Sequence, residues 1–110
     1  MRRVRVPEVL ATYNPLPDYV NITLQFDVAM DTAVTPDPTD FDVTVDGSPD
    51  NAVTADWLPG GTDLDLLVPG YVSAPAEISV SLPSAVLTLR TAGGLLVDAF
   101  DPVTADVVVI

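Results

Sequence analysis

The chain has no cysteine, no histidine and no lysine, and its aromatic residues are one Trp, three Tyr and three Phe. Each absence removes a class of chemistry. Without cysteine there is no disulfide, no thiolate nucleophile and no zinc–thiolate site. Without histidine or lysine, a general base has to be a carboxylate and a nucleophile a hydroxyl. The sequence carries no Gly-x-Ser-x-Gly elbow and no Walker-type glycine loop. A pair of carboxylates can hydrolyse a glycoside, but a β-domain of 110 residues offers little cleft for one. The expectation is a non-enzyme with no cofactor. No segment approaches the run of about 20 apolar residues that spans a bilayer, so no membrane insertion is expected. The opening "MRRVRVPEV" is basic without a long apolar run behind it and does not read as a secretory signal. Together with Met1, it reads as a complete product or as a piece that starts at a natural end, and synthesis in a cytoplasm is expected.

Basic residues are scarce and acids abundant. The net charge is −12, which repels phosphate backbones and argues against nucleic acid as a partner. Three of the four basic residues are Arg2, Arg3 and Arg5, and every acid lies at Glu8 or later. Beyond the arm formed by residues 1–6, 16 acids stand against Arg90 alone, a balance of −15. Such an arm reads either as a frayed basic end or as a tether to an acidic protein surface.

Eleven prolines leave little room for a long helix. Period-two alternation dominates instead. Ile22, Leu24, Phe26 and Val28 share one face, as do Phe41, Val43 and Val45, then Val53, Ala55 and Trp57. Leu64 and Leu66 continue the pattern, followed by Ala76, Ile78, Val80 and Leu82. "AVLTLR", "LLVDAF" and "DVVVI" read as further strands, with "RRVRV" as a first one. "NPLPD", "TPDPTD", "DGSPDN", "LPGGT" and "AGG" are turn chemistry, and two of the turns predict hairpins, in "VDGSPDNAV" and "WLPGGTDL". Strand starts recur at about 8 to 12 residues, the signature of an antiparallel β-sandwich. The expected fold is all-β, one domain over residues 1–110 with about seven to nine strands. Trp57, Phe26, Phe41 and Ile78 are its expected core centre.

Some of these residues carry a resemblance. Phe26-x-x-x-Met30-Asp31-Thr32, then Phe41-x-Val43 and Gly47, resembles the bacterial Ig-like repeats of surface-layer and adhesin proteins. The later "LTLRTAGGLLVDAF" is similar to the Leu-and-Gly ending of those repeats. The likeness runs from about residue 18 to residue 100. It departs at Thr91 and Ala92, where the family often carries an Asp before the late Gly, and at Glu77 to Val80, which replace a Tyr-x-Val. The resemblance implies an Ig-like antiparallel sandwich in which Met30 plugs the core and Asp31 caps a turn. It implies a scaffold, spacer or adhesive module and no catalytic residue.

Asp31, Asp37, Asp40, Asp42, Asp46 and Asp50 fall close together. Calcium needs six to eight oxygens converging at about 2.3–2.6 Å, while a strand spreads alternate residues by about 6.6 Å. The reading adopted is a wet outer face with Asx turns rather than a metal site. Tyr13, Tyr19 and Tyr71 sit beside Pro or Gly in loop-like stretches. They either pack on their own turns or anchor a protein partner. The candidate partner-binding residues are therefore Arg2, Arg3, Arg5, Tyr13, Tyr19 and Tyr71. The functional expectation is a structural protein that docks on a larger assembly, such as a phage capsid decoration protein of the virion assembled in the host cytoplasm. The partner is a capsid or other virion protein, or further copies of the chain itself. The competing expectation is an adhesive or carbohydrate-binding module at a bacterial cell surface.

Overall fold

The fold is that of a computed structural model, which describes residues 4–15 and 18–110. Leu16 and Pro17 of the "NPLPD" turn, and Arg2 and Arg3, lie outside the described residues. The strands are β1 (Glu8–Asn14), β2 (Tyr19–Gln25), β3 (Asp42–Val45), β4 (Ser48–Asp50), β5 (Thr54–Trp57), β6 (Asp63–Pro69), β7 (Glu77–Leu82) and β8 (Phe100–Val109). One 3₁₀ turn, Pro38–Asp40, precedes β3. The all-β expectation holds.

The strands follow the order β4-β3-β7-β8-β1-β2-β6-β5 in one mixed sheet that curls into a half-barrel. Strand β8 holds the two halves together. It pairs antiparallel with β7 from Glu77–Asp106 to Leu82–Phe100. Near its far end it turns to pair with β1, parallel, through Ala11–Val107, Thr12–Val108 and Tyr13–Val109. This parallel junction corrects the purely antiparallel expectation. Local alternation cannot reveal it, because strand direction depends on the path of the whole chain.

The alternating sets point inward as their periodicity requires. Val20, Ile22 and Leu24 of β2, Leu64, Leu66 and Val68 of β6, and Ile78, Val80 and Leu82 of β7 are almost fully buried. Among the described residues, no polar or charged side chain is buried in this core. Emptying one such site, Leu66→Ala for example, costs about 2–5 kcal/mol through lost burial and the cavity left behind. Phe26, Phe41 and Ile78 are core residues as expected, but Trp57 is only half-buried. It lies on the outermost strand, tilted against Phe26 at 6.4 Å, and its ring N–H donates to the Val34 carbonyl. An indole on an edge strand keeps its N–H within reach of a loop acceptor, which a central site would not offer.

The β3–β4 hairpin turns at Asp46 and Gly47, both at positive φ, the backbone that a two-residue hairpin of this hand demands. Two expected strands do not form. Residues 83–99 make a long connection, tied by single bridges at Arg90–Leu96 and Met30–Thr91. Leu89 and Val97 are buried anchors in it while Leu87 is exposed, so "AVLTLR" alternates in letters only. The first strand is also displaced. It begins at Glu8, and Val4 to Pro7 lie outside any strand.

Candidate functional site

Strand direction sorts the candidate residues to opposite ends. Arg5 lies at the end where β1 and β6 begin and β2 finishes, beside a shallow depression lined by Glu8, Gln25, Phe26, Asp27 and Asp63. Tyr19 pairs with Asn14 and Pro69 at the other end of the same strands, and Tyr71 follows there, its N–H donating to the Asp18 carbonyl. The length of β1, roughly 20 Å at about 3.4 Å per residue, separates the two groups. No single face presents both.

At the basic end, the Arg5 guanidinium is 3.6 Å from the Asp27 carboxylate, and its side chain is 85% exposed. A contact this long and wet holds weakly. Val4 packs against the core and Pro7 is buried, so the chain is seated on either side of Arg5 and Val6, which face solvent.

The tyrosines are more deeply committed to the fold than their loop-like neighbours suggest. Tyr13 belongs to β1, and its ring is core at 4% exposure, which corrects its expected place in a loop. Its hydroxyl donates to the Tyr71 carbonyl at 2.7 Å. The Tyr71 hydroxyl in turn donates to the Asp50 carboxylate. This relay staples β1 and the β6–β7 loop to the end of β4. Burial, then the charge of Asp18, raises the Tyr13 phenol above its usual range. Partial burial, then the hydrogen bond to Asp50, pushes the Tyr71 phenol well up. Tyr19, half-buried at the start of β2, accepts a hydrogen bond from Asn14. Tyr19 and Tyr71 keep part of their surface exposed; Tyr13 does not.

The aspartates act locally. Asp31 accepts the Ala33 N–H, the turn cap expected of it, and also the Arg90 side chain at 2.9 Å. Met30 beside it is 4% exposed, in its expected place in the core. The Arg90 hydrogen bond, then the Ala33 N–H, holds the Asp31 carboxyl below the usual range. Asp37 and Asp40 form a reciprocal capping box over the 3₁₀ turn. The Thr39 backbone and hydroxyl hold Asp37 low as well. Asp46 accepts the N–H groups of Ala76 and Glu77. Among the described residues, no three carboxylates converge as a metal site.

Arg90 had no role assigned from its neighbours in the sequence. The one signal for it is a lone arginine in a body of 16 acids. A second feature was not anticipated. Leu10, Val108, Val109 and Ile110 are each more than half exposed where β1 and β8 meet. Beside them a groove is lined by Val9, Leu10, Ala11, Thr12, Ala105, Asp106 and Val108.

A scan against models of protein families finds no match. A search of curated proteins finds no matching sequence either.

Proposed function

We propose that this chain is a non-catalytic structural protein that docks on a larger protein assembly through its basic arm, as a capsid decoration or other virion accessory protein does. The observation that carries the reading is the placement of Arg5. It is an exposed residue of an Arg-rich arm on a body of −15, and its one ion pair among the described residues is a long contact to Asp27. Three arginines on such a body form a positive pole that orients approach to an acidic surface and then pairs with its carboxylates. The fold reading that accompanies it is an Ig-like sandwich of the surface-layer and adhesin repeat type. Lettering the eight strands A, B, C, C′, D, E, F and G in chain order turns the observed sequence of neighbours into C′-C-F-G-A-B-E-D. That grouping, ABED beside CFG, supports an immunoglobulin-type arrangement. Assembly in a host cytoplasm onto a virion is part of the same reading.

A second reading, an adhesive or carbohydrate-binding module of a bacterial surface protein, is favoured by one face. Thr12, Asn21, Thr23, Gln25 and Asp65 share the outer side of β1, β2 and β6, with Thr23 donating to Asp65 at 2.7 Å. A patch of amide, hydroxyl and carboxylate groups, with Leu10 and Leu67 on the same side, suits sugar hydroxyls.

Co-sedimentation of the chain with purified virions separates the two. Under the favoured reading the intact chain pellets with the particle, less so as salt rises, and a chain lacking residues 1–6 stays in the supernatant although folded. Equal pelleting of both chains at every salt concentration refutes arm-mediated docking.

A further inference from the structure

The β1–β8 junction is incomplete. β1 is paired with β2 along its whole length, from Glu8–Gln25 to Asn14–Tyr19, but with β8 only through Ala11 to Tyr13. β8 is paired with β7 from Phe100 onward, yet meets β1 only from Val107. Below Ala11 no pairing joins the two strands among the described residues, which leaves a seam with a β-edge on each side, its lower end bordered by the chain's own Val6 beside Phe100, Asp101 and Pro102. Alternation identifies the groups that face it. The Tyr13 carbonyl accepts from Ile110, so the odd residues of β1 turn their backbone toward β8, and Val9 points into the seam. The Val107 N–H bonds to Ala76 on the opposite side, so Thr104 and Asp106 turn theirs toward β1. Pro102, within the same stretch of β8 and beside its register shift, fits an edge that lacks a ladder on this side.

The seam's chemistry is selective. Its floor has the small Ala11 and Ala105, its upper wall the exposed Leu10 and Val108. Glu8 and Asp106 stand exposed on its two strands. Asp106 also lies directly opposite Glu77 across the β7–β8 pair, a like-charge contact that a cation beside it relieves. The complementary occupant is an extended strand that alternates apolar and basic side chains.

We infer that the seam receives the arm of a second copy of this chain, added as a β-strand between β1 and β8. The arm reads Arg3-Val4-Arg5-Val6, the alternation that the seam selects. Six extended residues reach about 20 Å, close to the length of β8 from Phe100 to Asp106 at about 3.4 Å per residue. Main-chain hydrogen bonds to Val9 and Thr104 give affinity, valines meet the apolar floor, and arginines meet Glu8 and Asp106. The arm enters β1 at the lower end of its own seam, so two copies related by a two-fold axis exchange arms reciprocally and the assembly closes as a dimer. Exchange gives up the packing of Val4 on its own core, which keeps the association weak and dependent on concentration.

The inference rests on the arm being the docking element and goes further by naming what it docks on. Sedimentation equilibrium tests it with three chains: intact, lacking residues 1–6, and Leu10→Arg. Leu10 is exposed, so the arginine leaves the core untouched while repelling a basic strand. Thr104→Pro is a second seam variant that removes a seam-facing N–H and also fixes φ there, so its fold is first checked by circular dichroism. The intact chain's average mass rises toward twice that of one chain with concentration and falls again with salt. The armless chain and each seam variant remain monomers alone. Mixing the armless chain, which keeps an open seam, with Leu10→Arg, which keeps its arm, restores a two-chain species. An intact chain that stays monomeric at every concentration overturns the inference, as does self-association that survives both seam variants. Virion pelleting by the Leu10→Arg chain distinguishes loss of the dimer from loss of arm-mediated docking, since docking on a particle survives a blocked seam.

Discussion

The Nε of Arg90 donates to the Oδ2 of Asp31 at 2.9 Å, joining residues 59 positions apart. The Asp31 N–H also donates to the Arg90 carbonyl, so side chains and backbone close the same contact. Asp31 and Asp37 both titrate lower in the folded chain than in the unfolded one. Their stabilisation is therefore complete above about pH 4, the ordinary carboxyl value, and is lost as pH falls through their depressed folded values. Arg90→Ala lowers the melting temperature by a few degrees at neutral pH and flattens the acid limb of the stability profile. An acid limb unchanged by the substitution contradicts the pairing.

Met30 sits in the core, at 4% exposure, next to this bond. Met30→Ala costs about 2–5 kcal/mol in chemical denaturation. Met30→Asp, which puts an unpaired charge in the core, leaves the chain unfolded or nearly so. Met30→Leu keeps most of the stability, losing less than about 1.5 kcal/mol.

Tyr71→Phe keeps the ring and removes the hydroxyl that donates to Asp50. The expected loss is about 1 kcal/mol. The ultraviolet titration of the intact folded chain shows less phenolate near pH 10, the ordinary tyrosine value, than the unfolded chain does. Because the folded values of Tyr13 and Tyr71 are raised, their contribution is intact below about pH 10 and declines as pH rises beyond it. Tyr71→Phe removes part of the late-titrating absorbance.

Two like-charge pairs lie directly across strand junctions, Asp56 opposite Asp65 and Glu77 opposite Asp106. With a net charge of −12, repulsion works against the folded state. The melting temperature rises with sodium chloride as screening lengths shrink from about 10 Å at 0.1 M toward about 3 Å at 1 M. Asp106→Asn or Asp65→Asn raises stability at low salt by a few tenths of a kcal/mol, about 0.2–1 at most. The gain shrinks in high salt.

The inward faces of β2, β3, β6 and β7 were legible because each alternates between a buried and a wet side. The Asp46–Gly47 hairpin was legible because its turn chemistry is local. β1 was not, since Leu10 faces solvent and spoils the alternation of Val9, Ala11 and Tyr13. Taking "EVLATYN" as a strand is the step that places Tyr13 inside. The connection over residues 83–99 misled for the opposite reason, alternating in letters while its chain turns. Arg5 and the tyrosines looked like one docking set, but strand direction sends them to opposite ends, and direction is a property of the whole path. The open seam depends on where two distant strands part, which no local stretch encodes.

The parallel contact between β1 and β8 also determines how the molecule carries tension. A pull on the arm below Glu8 and on the chain above Val109 draws these neighbours in opposite directions along their length. The load falls on the bonds that Ala11 and Tyr13 make to β8 together, in shear, rather than opening them one after another as a hairpin unzips. The junction therefore resists stretching until those bonds give way at once, and its lifetime under force is an unfolding rate rather than an equilibrium stability. Three residue pairs thus act as a mechanical clasp between the two ends of the chain.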